Sequence, residues 1–351
     1  MTIHSIAGAA NPSNATATSA RWGLAVLLLL AVAVFGCWLV GTRPLDIGTD
    51  TSVYAGFFER LGHGDSPTRL EPGFVAVSYL LSKLGVGVTG YLAALFGLML
   101  LTVWISTRRY FNYLGDTRGY LTFLSAAMML LFLSPMFVNA SINAIRQGLA
   151  APLVFAALLS FQQRRWWQFA WYGALATSLH YSSLLYMAFA PALFLSTKTL
   201  RYAGAAGLLV YCSGLSELIV QTLTPGIHAT VMEYAARTEL RAGVRIDFAV
   251  FSAFWYVLPH LLAPTLKPPY RERILQSTAV YLVMLLPFFA IGWGYFSNRY
   301  LLPAWLAVSL ILAAVVCHNR LQALSHPLLI RFGLIASCAV FYFYVATETV
   351  I

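Results

Sequence analysis

The chain is poor in charge. Of its 351 residues only 10% are Asp, Glu, Lys or Arg, whereas a soluble globular domain carries roughly 25%. Acid is scarcest: 12 Asp and Glu stand against 22 Lys and Arg, for a formal net charge of +10. Such a composition excludes a water-soluble globule. Cysteine is also rare. Cys37, Cys212, Cys317 and Cys338 all fall in apolar stretches without a short paired motif. They read as small hydrophobic packers, so neither a disulfide nor a cysteine-bound metal is expected. No convincing internal repeat is visible, which weakens an inverted-repeat transporter reading.

What the sequence has is apolar length: 60% hydrophobic residues and a mean hydropathy of +0.74. A membrane span needs about 20 mostly apolar residues. Such stretches lie near 22–40, 88–106, 119–138, 144–162, 166–180, 183–197, 202–223, 248–266, 274–291, 300–317 and 328–346. The predicted fold class is all-α, a polytopic integral membrane protein of about 11 transmembrane helices (10–12) with a GT-C-like architecture. Residues 1–21, small and polar, are expected to form a disordered cytoplasmic tail. Residues 22–351 form one transmembrane domain with outside loops near 41–71 and 224–247. The run Trp22 to Val40 is too long for a signal-peptide core and reads as a retained first helix. Residues 72–86 open on Pro72-Gly73-Phe74 but end early at Lys83 and Gly85, so a re-entrant, interfacial or short spanning role is open.

Basic residues mark the cytoplasmic side of membrane proteins. Arg108, Arg109 and Arg118 fall in one loop, Arg164 and Arg165 in a second, Lys198 and Arg201 in a third, and Lys267, Arg271 and Arg273 in a fourth. Alternating spans put all four on one side and Asp46, Asp50, Glu59, Asp65, Glu71, Glu233, Glu239 and Asp247 on the other. The amino terminus is therefore expected inside. The positive charge is a topology signal, and no nucleic-acid partner is needed to explain it.

Against this background a few polar residues stand out, because ionisable groups at membrane depth are costly and mark functional paths. Arg146 opens an apolar span, with Asn139, Ser141, Asn143 and Gln147 around it. His180 ends another span at the same face, followed by Tyr181, Ser182 and Ser183. Arg299 begins the tenth span. In the first outside loop Asp50 and Tyr54 are four apart, and Glu71 precedes Pro72. In the second, Arg237, Arg241 and Arg245 share one stripe of a predicted surface helix over residues 229–242. Glu217 and His260, inside predicted spans, are candidates to pair or line a cavity. Each has a plainer reading, as an interfacial arginine, a structural histidine or a solvated carboxylate.

The segments Asp46-Ile47-Gly48-Thr49-Asp50 through Tyr54, Glu71-Pro72-Gly73-Phe74, Ile145-Arg146-Gln147-Gly148-Leu149-Ala150 and His180-Tyr181-Ser182-Ser183-Leu184 resemble the EpsG family. These are membrane proteins of bacterial exopolysaccharide operons, related to Wzy-type polymerases. The resemblance spans residues 40–310. It implies a glycan polymerase at the outer face of the bacterial inner membrane, joining repeat units carried on undecaprenyl pyrophosphate. A flippase and a chain-length regulator of the same pathway would be its partners, beside membrane lipids. By position, Arg146 and His180 would be central and Asp50 and Glu71 supporting.

The chemistry expected of such a site is metal-independent and needs no cofactor. Arginines neutralise a departing pyrophosphate, with Arg146 and Arg299 foremost. His180, Asp50 or Glu71 takes the proton of the acceptor hydroxyl. Tyr54, Asn143, Gln147, Arg237, Arg241 and Arg245 are the candidate substrate contacts. A different lipid-linked-sugar glycosyltransferase or a glycan ligase would use the same groups on another acceptor. A transporter or flippase would place its polar groups nearer the bilayer midplane.

Overall fold

A computed structural model describes residues 12–62, 69–232 and 243–348. The described residues form sixteen α-helices: α1 (Pro12–Thr42), α2 (Thr51–Gly62), α3 (Pro72–Lys83), α4 (Val88–Leu114), α5 (Tyr120–Phe132), α6 (Pro135–Ile142), α7 (Ile145–Gln162), α8 (Trp166–Leu179), α9 (Ser183–Phe189), α10 (Thr197–Cys212), α11 (Leu215–Leu223), α12 (Pro225–Met232), α13 (Ile246–Leu261), α14 (Pro268–Ile291), α15 (Ser297–Cys317) and α16 (Pro327–Ala346). A chain so poor in polar side chains satisfies its backbone within helices, the only open-chain solution in lipid. The protein is an all-α polytopic membrane protein.

Among the described residues seven helices are long and apolar enough to cross a bilayer: α4, α7, α13 to α16 and the Trp22–Thr42 part of α1. Two bent pairs, α5–α6 and α10–α11, raise the number to nine. The expectation of eleven differs in α8, which has 14 residues, and in α9 with its 3-10 extension to Phe194, which are too short to count. The breaks have local causes. Pro135 has no backbone N–H and disfavours a helical residue before it, so α5 stops and α6 restarts at 81°. Gly214 takes a left-handed φ of 77°, which turns the chain by 85° between α10 and α11. Residues 72–86 contribute the 12-residue α3, with Pro72 in its first turn. Part of the predicted amino-terminal tail is helical: α1 starts at Pro12, because an alanine-rich segment readily extends an established helix. Residues 1–11 lie outside the described residues.

The core is built around α7, 89% of whose span is buried. It packs on α8, α4 and α15; α14 joins α15 to α10, α5 bridges α15 to α16, and α1 lies on α4. Leu24, Leu27, Val34, Leu101 and Phe332 face outward, as a lipid-covered bundle requires. Gly148 lets α7 meet its neighbours closely. A Cβ there would lie 2.6 Å from Met99 Cε and 2.8 Å from the Ala140 carbonyl oxygen. Because Gly148 is two residues from Arg146, this contact also fixes the polar end of α7.

One end of the bundle gathers the loops with Arg118, Arg165, Lys267 and Arg273. The other holds Arg146, His180 and Arg299. His260 belongs to the basic end, where its Nε2 is 3.0 Å from Arg201 Nη2, and Glu217 stands 3.8 Å from His228. The two therefore do not pair with each other. Gly148→Ala is expected to overpack the α4–α6–α7 junction and cost about 1–3 kcal/mol, read as a lowered unfolding temperature of the purified protein.

Candidate functional site

The loop that follows α1 is tied down before it reaches the site. Arg43, just past α1, is 6% exposed. Its Nη1 donates to the Val40 carbonyl and its Nη2 to Thr51 Oγ1 at 2.9 Å. Burial lowers its pKa to about 10, so it stays cationic at neutral pH. Thr51 Oγ1 in turn lies 2.8 Å from the Ile47 carbonyl and 3.0 Å from that of Ile142, fastening the loop to the end of α6. This anchoring places Asp50 at the start of α2 and Tyr54 one turn further on.

Glu71 is the centre of the arrangement. It stands at the N-cap position of α3 without capping it through its side chain, which is 3% exposed. Arg146 Nη1 donates to Oε2, making an ion pair. His180 Nδ1 is 2.8 Å from Oε1, and the Tyr181 backbone N–H donates to the same oxygen at 3.2 Å. Burial alone would raise the carboxyl pKa. The hydrogen bonds from His180 and Arg146 outweigh it and hold the group at about 2. Glu71 is thus ionised and can only accept. It follows that Nδ1 of His180 carries a proton, so Nε2 is the ring nitrogen that can offer a lone pair.

A second ion pair sits beside the first. Arg299 Nη2 lies 3.5 Å from Asp50 Oδ2, and its guanidinium stacks 4.2 Å from the Phe296 ring centroid. Helix α2 joins the pairs: Asp50 meets Arg299, and the Tyr54 hydroxyl accepts from Arg146 Nε at 3.4 Å. Gln147 Nε2 donates to the Arg299 carbonyl, binding the start of α15 to α7. With buried Arg43 counted beside the two pairs, three arginines stand against two carboxylates, an excess of one cation before the His180 ring is counted. Arg146 uses Nη1 and Nε on these partners, and its Nη2 makes no hydrogen bond among the described residues.

The structure therefore brings six sequence-predicted residues, Arg146, His180, Glu71, Asp50, Tyr54 and Arg299, into one connected cluster. Asn143 and Gln147, expected as substrate contacts, are buried at 8% and 4% exposure. Asn143 donates to Asn139 and accepts from Thr49, so these two side chains brace the site from behind. Arg245 does not join it: it forms a 2.6 Å ion pair with Asp247 and stacks on Phe248. Arg237, Arg241 and most of the predicted 229–242 helix lie outside the described residues. Sequence reasoning passed over Arg43 and Thr51. Arg43-Pro44 directly after the first apolar run was the available signal.

Beside the cluster a groove of about 480 Å³ runs along α8 and α9, lined by Pro72, Phe169, Gly173, Ser178, Tyr181 and Met187. Pro72 adjoins Glu71, and Tyr181 supplies one of its donors, so the apolar groove lies beside the residues that flank the ion pair. The Glu71 linkage sets an acid limit on stability. Its folded pKa lies below the ordinary 4.5, so its stabilisation is complete above about pH 4.5 and lost as pH falls towards 2. Thermal unfolding from pH 6 to pH 3 is expected to show a fall in wild type that is smaller in Glu71→Gln.

No curated protein and no solved structure matches the chain. A model of the EpsG family matches residues 26–350, nearly the whole length, including every residue of the cluster just described. With that coverage, the chain belongs to the EpsG family.

Proposed function

We propose that this protein is a membrane glycan polymerase, joining oligosaccharide repeat units carried on undecaprenyl pyrophosphate at the outer face of the bacterial inner membrane. Its amino terminus is then cytoplasmic, and the basic end of the bundle is the inner end. The observation that carries the reading is the Arg146–Glu71–His180 linkage at one end of the bundle, next to the Arg299–Asp50 pair and beside an apolar groove. Membership of a family tied to exopolysaccharide production supports the same class.

The residues divide the work as follows. A hydroxyl oxygen of the acceptor repeat unit attacks the anomeric carbon of the donor. His180 Nε2 takes the hydroxyl proton, and Glu71 holds the ring and stabilises the imidazolium that forms. The bond from the anomeric carbon to the pyrophosphate oxygen breaks, and the leaving group departs with the electron pair. Arg146 Nη2 and Arg299 face that developing charge, with buried Arg43 adding to the local potential. A single displacement of this kind inverts the anomeric centre. Of the three candidate bases, Glu71 is the poorest, because its carboxylate is already saturated with donors. The groove at Pro72 and Tyr181 suits the isoprenoid tail, which keeps its contact with lipid while the headgroup reaches the ion pairs.

In a deletion strain, His180→Ala is expected to abolish long polymer while the protein remains in the membrane. Arg146→Lys keeps the charge but loses the fork, and is expected to shorten the polymer strongly. Normal chain length from either variant at wild-type abundance would overturn the assignment. With purified protein, lipid-linked repeats alone should be extended without a second acceptor. In that assay Glu71→Gln is expected to lower turnover by about 10²-fold or more, through loss of the tautomer that leaves Nε2 free.

A further inference from the structure

At the end of the bundle opposite the cluster, a second polar cleft is built where four helices meet. It has a volume of about 470 Å³, within the usual range of ligand sites. Asn112 comes from α4, Gln162, Gln163 and Arg165 from the α7–α8 turn, and Arg273 and Gln276 from α14. Sixteen residues of α7 separate Gln162 from Arg146, about 24 Å of helix rise. This cleft is therefore not part of the site above.

Its chemistry is one-sided. Two guanidinium groups line it, no acidic residue does among the described residues, and neither Arg165 nor Arg273 forms an ion pair among them. The rest of the lining is uncharged: the Tyr113 and Thr197 side chains and four amides, of which Gln162, Gln163 and Gln276 are held by hydrogen bonds. Gln162 accepts from the Tyr113 hydroxyl at 3.0 Å and donates to the Gln276 carbonyl at 3.0 Å. Gln163 accepts from Arg109 Nη2 at 2.5 Å, which leaves its own amide N–H groups as donors. Arg109, 4% exposed, also donates to Ser160 and adds a third positive charge behind the wall, with Nη1 unpartnered. Glu272 is occupied by the Gln276 amide at 3.0 Å. Gly115, at a left-handed φ of 75°, makes room for the Arg273 guanidinium: a Cβ there would lie 1.8 Å from Nη1. Trp166 and Trp167, both exposed, follow Arg165 directly and mark the level of lipid headgroups.

We propose that this cleft binds a phosphate-bearing anion. Two guanidinium forks from different helices, donor amides and a buried cation behind them are the features that recognise phosphate oxygens. The volume exceeds what a single phosphate fills, so a diphosphate or the phosphate headgroup of an anionic lipid is the class of ligand. On the topology proposed above this is a cytoplasmic-face site, but its chemistry does not depend on that topology or on the polymerase reading.

The test uses the full-length protein in nanodiscs of phosphatidylcholine. One arm titrates inorganic pyrophosphate, and the other replaces part of the lipid with phosphatidic acid; both read the unfolding temperature. A rise is expected in at least one arm. In an Arg165→Gln/Arg273→Gln double variant the half-saturating concentration or mole fraction should increase by about tenfold or more, with the unliganded unfolding temperature in neutral discs unchanged. A response to pyrophosphate assigns a soluble ligand, and a response to phosphatidic acid alone assigns a lipid headgroup. No rise in either arm, or a rise the variant fully retains, overturns the proposal. If the double variant does not fold, Arg165→Gln alone, at an exposed turn, serves for the same comparison.

Discussion

A buried carboxylate is tolerable only when its oxygens are fully provided with donors, and Glu71 is the clearest instance in this molecule. Three donors reach it from two other parts of the chain: the guanidinium at the start of α7, and the imidazole and backbone N–H just past the end of α8. Helix α3 has only 12 residues. Through that one group the start of α3 is tied to the entrance of α7 and the exit of α8. The same contacts dictate the proton's position on His180, so the tie that assembles three helices also sets the reactivity of the ring.

Around this tie lies a layer of residues that hold backbone in place. Thr51 fastens the first loop to α6, Asn143 grips Thr49, Gln147 grips the Arg299 carbonyl, and the Tyr186 hydroxyl donates to the Tyr300 carbonyl at 2.9 Å. Such bonds fix side chains that act by charge, and charge acts best when it need not reorganise. Because two of the three arginines already have carboxylate partners, the pocket carries a modest positive excess. Under the proposed function, that balance is compatible with repeated release of the pyrophosphate leaving group.

Much of this was legible in the sequence, for physical reasons that differ between features. The apolar runs and the basic loops gave the helices and their alternation, because both respond to the bilayer and not to tertiary detail. Arg146, His180, Glu71, Asp50 and Arg299 stood out because charge is rare in this chain. Which of them pair was not visible, since pairing is set by helix packing between positions as far apart as Glu71 and His180. The shortness of α8 and α9 was hidden by their apolar composition, which reads as a span whether or not the helix is long enough. The break at Pro135 was announced by its ring, yet hydropathy runs through it unchanged. Arg43 was passed over because an arginine after a first span has an ordinary topological meaning. Asn143 and Gln147 looked like ligands because a polar side chain near a site gives no sign of which way it faces.

The groove along α8 and α9 has Leu184 and Tyr181 exposed on its rim. A molecule arriving through it travels within the lipid sheet and meets the protein from the side. Its encounter rate is then governed by how many copies share a patch of membrane, not by how many share a volume of water. Under the proposed function, spreading the same amount of lipid-linked substrate through more inert bilayer would slow turnover, while adding buffer would leave it unchanged.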